Sequence, residues 1–101
     1  MSGPRSYPGI DQDRYGGMSD VGNIIRDAWV FGLIPESETC AGWDHGRLDQ
    51  LYARVHEAWA PYGHLVSRLP PDLRERHERI FGEAVRRARE LGWSPELGDD
   101  D

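Results

Sequence analysis

The chain has 101 residues, 38% hydrophobic and 30% charged, and a formal net charge of −6. That is enough for one domain with a modest core, lacks the run of about eighteen apolar residues that a membrane helix needs, and disfavours nucleic acid and anionic membrane as partners. The single cysteine excludes an internal disulfide, and the opening MSGPRSYPGIDQDRYGG lacks the basic start and apolar segment of a secretory signal, so cytoplasm is the expected location.

Residues 1–17 hold four glycines, two prolines and two serines without apolar period, and read as a flexible lead before a helical domain over 18–95. Tyr7, Ile10 and Tyr15 offer a second reading, a short docking segment, and Met18 a possible true start. Ser19 or Asp20 suits the cap of a first helix, about 20–31. Val21, Ile24, Ile25 and Ala28 share one face, with Asn23, Arg26 and Asp27 opposite. Trp29, Val30, Phe31, Leu33 and Ile34 then surround the axis. Gly32 can end the helix in the left-handed conformation, and Pro35 makes Ile34 extended.

The second helix, about 45–60, is capped by Asp44 and carries the stripe Leu48, Leu51, Tyr52, Val55, Trp59 and Tyr62. Pro61 kinks it or starts a short helical segment over 62–69. Proline in the first turn opens a third helix, about 72–91. Its inner face is Leu73, His77, Ile80, Phe81, Ala84, Ala88 and Leu91, and its outer face pairs Glu75 with Arg79 and Glu83 with Arg87. Gly92 closes it, Pro95 prevents resumption, and 96–101 is an acidic tail. The expected fold is therefore all-α, a small bundle of three main helices with flexible ends.

The arginines are concentrated in the third helix: from Arg68 to Gly92 there are seven against five acids. All twelve basic residues are arginine, a usage typical of a GC-rich bacterial genome. Because these arginines alternate with acids, a solvated, ion-paired face explains them better than a nucleic-acid surface.

No catalytic motif stands out. The glycine pairs lack the spacing and lysine of a phosphate loop, no serine sits in a nucleophile elbow, and a bundle of this size offers little room for a deep pocket. Cofactors are not expected. His56 and His64 lie too far apart along a helix to share an ion unless Pro61 folds the chain back, and His77 reads as a core histidine. What remains is an apolar excess around Trp29, Val30, Phe31, Leu33, Ile34 and Trp43. With Arg79 and Arg86 for orientation, it suggests a cytoplasmic accessory or adaptor protein acting by protein–protein contact, self-association included. The alternative is a thiol or metal protein centred on Cys40, His45 and Asp44, since a four-residue gap between cysteine and histidine suits zinc.

Overall fold

The computed structural model describes residues 6–94; the acidic tail expected over 96–101 and the Pro95 stop lie outside them. Among the described residues there are three α-helices, several short 3-10 turns and no strand, as the hydrophobic periods predict. Among the described residues no helix is long and apolar enough to cross a membrane.

Helix α1 (Asp20–Val30) starts where Ser19 Oγ accepts the Gly22 N–H at 3.0 Å, satisfying one of the donors a helix start leaves unpaired. It ends where Gly32 takes φ +71° and Leu33 N–H donates to Ala28 O at 2.9 Å. Asp44 caps α2 (His45–Trp59) by accepting the Arg47 N–H, and prolines open α3 (Pro71–Glu90). Both α2 and α3 pack along α1 and scarcely on each other. Helix α1 is thus the axis of the molecule, which explains why its polar face narrows to nothing: a helix enclosed on most sides must be apolar on most sides.

The third side of α1 is covered by the segment expected to be a flexible lead. Ile10 is 3% exposed and belongs to the core cluster with Ile25, Ala28, Leu51 and Val55. The backbone of Tyr7 donates to Trp43 O and accepts from Gly42 N–H, both at 2.8 Å, and Ile10 N–H donates to Thr39 O. Tyr7 Oη donates to Asp13 Oδ2 at 2.6 Å, and Ser19 Oγ donates to the same oxygen. The packed chain therefore begins by Tyr7, not at Met18. The sequence ranks this docking segment below a flexible lead because it is held by backbone pairing and one buried isoleucine, neither of which leaves a periodic pattern.

Two glycines make this packing possible. A Cβ at Gly22 would run into the carbonyl of Gly17, and Gly17 itself has φ +102° with Ile10 and Arg26 against it. Arg26, expected on the outer face of α1, is 2% exposed beneath the lead. It donates to Gly16 O at 3.0 Å and to Asn23 Oδ1 at 3.1 Å, and lies 5.9 Å from the centre of the Phe81 ring.

The segment after α2 is not a helix over 62–69. It is two 3-10 turns, Ala60–Tyr62 and Val66–Arg68, separated by Gly63 and His64 at φ +62° and +60° and an extended Leu65. This reversal brings Leu69 into the core at 2% exposure. Leu91, expected on the inner face of α3, is 53% exposed at the C-cap, just past the last helical residue.

Candidate functional site

Because α2 and α3 both lie on α1 without closing on one another, a groove of about 860 Å3 opens between them. Ile24 and Asp27 of α1 form its floor. Helix α2 supplies Tyr52, His56, Glu57 and Trp59 along one wall, and α3 supplies His77 and Phe81 along the other. His64, on the reversal after α2, also lines it.

Aromatic contacts organise these side chains. The His56 and His64 rings are 4.6 Å apart although eight residues separate them, because the turn through Pro61 and Gly63 folds the chain back. Trp59 lies between His64 and His77, at 6.5 and 6.3 Å, and His77 stacks on Phe81 at 4.3 Å. His64 holds a left-handed backbone without being glycine, a strained conformation that costs roughly 1–2 kcal/mol and is concentrated at functional positions.

Asp27 is the polar centre of the groove. Its Oδ2 accepts the Trp59 indole N–H at 3.2 Å, the one hydrogen bond its carboxylate accepts among the described residues. No side-chain oxygen or nitrogen among them is buried without a partner, so Oδ1, which accepts no hydrogen bond from them, is not sealed from solvent, and Asp27 lines the groove. Burial pushes the Asp27 carboxyl above its usual range, against the Trp59 hydrogen bond and the neighbouring His77 and Arg26, which pull it down. No arginine lines the groove among the described residues, whereas two carboxylates, Asp27 and Glu57, do.

The residues expected to make a docking patch are elsewhere and mostly occupied. Val30 is fully buried, and Trp29 is half-buried with its indole N–H donated to Glu38 O at 3.0 Å. Phe31 meets Trp59 edge-on at 5.1 Å and stacks on Tyr62 at 6.3 Å. Leu33, Ile34 and Trp43 pack against the core, with Arg47 over the Trp43 ring at 4.0 Å. The strap after α1 and the reversal after α2 thus absorb the apolar excess that the sequence left unassigned. Arg79 pairs with Glu36 on the strap, at 2.9 and 3.0 Å, rather than with Glu75 on its own helix. Arg86 is exposed on α3.

Cys40, His45 and Asp44 do not converge either. Cys40 is fully buried, and burial, then Glu38, pushes its thiol up to about 11, the opposite of what a reactive thiolate needs. Asp44 is the cap of α2, and His45 is exposed at its first position. Among the described residues no three of histidine, cysteine, aspartate and glutamate are grouped to hold a metal ion.

No protein-family model matches the chain, and no curated protein or solved structure is significantly similar to it.

Sequence reasoning missed the groove while naming most of its walls. Their periodicity puts Tyr52, Trp59, His77 and Phe81 on core stripes and Asp27 opposite the apolar face of the first helix. The available signal was three histidines on or beside those stripes, each a poor choice for a closed core.

Proposed function

We propose that this protein is a small binding module, without catalysis of its own, that holds a compact organic molecule in the groove between α2 and α3. The observation that carries this reading is the separation of α2 from α3 over α1, which leaves about 860 Å3 walled by aromatic rings with one carboxylate on the floor. That volume and that mixture of apolar wall and few polar groups are typical of ligand sites. Binding is favoured over acid–base catalysis because, among the described residues, no groove histidine is hydrogen-bonded to Asp27 or Glu57, so no dyad is assembled.

The contact role expected from the sequence keeps one specific support. Leu65 and Val66, directly after His64, are 49% and 40% exposed and extend the apolar surface beyond the groove. This lip is more exposed than the large apolar side chains of the WVFGLIP segment and is the contact surface this reading favours.

The test is a fluorescence titration with N-phenyl-1-naphthylamine, a neutral probe that brightens in apolar sites. Ala53 is exposed and lines the groove, so Ala53→Trp fills the mouth without entering the core. Brightening in the parent protein that is lost in A53W, with helical circular dichroism unchanged, supports the reading. Equal brightening in both proteins places the probe elsewhere and refutes it.

A further inference from the structure

Resting on that reading of the groove, we propose that its ligand is an organic cation: a protonated amine joined to a flat apolar body, with the ammonium on Asp27 and the body against Trp59, Tyr52 and Phe81. The argument is charge complementarity within an apolar cleft. The groove offers an anion and no permanent cation. Asp27 and Glu57 both line it, and no arginine does among the described residues, in a chain with twelve arginines.

The Asp27 carboxylate is held but not satisfied. Trp59 Nε1–H fixes Oδ2 at 3.2 Å, while Oδ1 accepts no hydrogen bond among the described residues and is not sealed from solvent on a residue that lines the groove. A buried carboxylate left with so little compensation costs stability, and an ammonium donor at Oδ1 would supply the missing partner through a charge-assisted hydrogen bond. The contrast with Arg26, the preceding residue, is direct, since that guanidinium is bonded to Gly16 O and Asn23 Oδ1 and is closed over.

The aromatic lining completes the match. Rings attract a cation through their faces and receive the flat part of a ligand by stacking. Trp59 serves both parts of such a ligand: its N–H orients the carboxylate and its ring forms the wall beside His64 and His77.

The experiment uses the full chain and three probes of one shape: 1-naphthylmethylamine, protonated at pH 7.5, its neutral alcohol counterpart 1-naphthylmethanol, and the anion 1-naphthylacetate. Each is titrated by calorimetry into the parent protein and Asp27→Asn. The substitution keeps an oxygen acceptor for the Trp59 N–H, so the fold is retained. The amine should bind the parent at least about tenfold more tightly than the alcohol, the scale of one hydrogen bond to a charged group. In D27N that preference should collapse while the affinity for the alcohol is retained. An alcohol or anion that binds the parent as tightly as the amine overturns the inference and leaves the groove reading standing. Should none of the three bind at millimolar concentration, both fall. A dimer that separates on Ala53→Arg would put a second copy in the groove, and that also overturns the inference.

Discussion

Arg26 and Asp27 are neighbours on one helix with opposite charges, and the fold treats them in opposite ways. Arg26 lies under the N-terminal segment at 2% exposure, with both terminal nitrogens hydrogen-bonded and Phe81 beside it. Asp27 faces the gap between α2 and α3 with one hydrogen bond and one free oxygen. A buried charge surrounded by its own chain is part of the architecture. A carboxylate held by a single indole and turned towards open space has capacity to spare. The difference comes from what covers each side of α1, a packed segment on one and nothing on the other.

The covered side is where breakage should be largest. Removing residues 1–17, so that the chain starts at Met18, exposes the pocket of Ile10 and strips Arg26 of its Gly16 partner. Burial of one isoleucine is worth about 1.5–3 kcal/mol, and a hydrogen bond to a charged group adds about 1.5–3 kcal/mol. Urea unfolding should therefore show a loss of roughly 3–6 kcal/mol, and a shortened chain as stable as the parent would show that the segment contributes no packing. Gly22→Ala tests the same contact from the helix side. Alanine favours helix by about 1 kcal/mol, yet here its methyl would push the Gly17 backbone away, so the variant should unfold at lower urea, not higher.

On the open side the sign reverses. The Asp27 carboxyl is raised by burial above its ordinary value, so the folded state binds that proton more tightly than the unfolded state. Its contribution to stability grows as pH falls through the raised folded value and is unfavourable above it. Asp27→Asn removes the charge and keeps the acceptor for Trp59. The thermal midpoint at pH 7 should stay level or rise, as happens where a protein has kept a destabilised group for binding. A clear fall would show that the charge is structural.

Asp13 behaves in the contrary sense. Burial pushes its carboxyl up, but hydrogen bonds from Ser19, Tyr7 and the Arg14 N–H outweigh this and leave it below the ordinary value. Its stabilisation is present above the unfolded value of 3.8 and is lost as pH falls through the lower folded one. Asp13→Asn should therefore weaken the protein at pH 7 and shrink the gap at low pH, as followed by urea midpoints across pH 2–7. A gap that does not change with pH would mean that Asp13 acts only as a spacer.

The helices could be read from the chain because each is short, capped and periodic. Ser19, Asp44 and the Pro70-Pro71 pair mark their starts, and the structure agrees to within a residue or so. What covers a helix is not written in its own period. Arg26 and Asp27 are consecutive and both fall opposite the apolar stripe in a helical projection, and only the path of residues 7–17 makes one of them interior. The groove was hidden for a similar reason. His56 and His64 meet through two consecutive left-handed residues, a reversal that Pro61 and Gly63 permit without dictating. The apolar excess after Ala28 was visible, but its resolution depended on a strap folding back so that Trp29 could donate to Glu38 O.

That strap gives the smallest effect. Its visible fastening is the two-pronged pair between Arg79 and Glu36, both well exposed to water, where screening and side-chain entropy leave an ion pair little net value. Its part-buried fastening is the Trp29 indole on Glu38 O, while Arg76 of α3 reaches Val30 O at 3.0 Å at the end of α1 itself, just before the strap. Arg79→Gln should leave the unfolding free energy within error of the parent at physiological salt, whereas Trp29→Phe, which removes the donor and keeps a ring, should lower it by about 1 kcal/mol. If R79Q proved the more damaging of the two, the strap would be held by charge rather than by packing. The residues Arg79 and Glu36 would then set how firmly the apolar end of α1 stays covered.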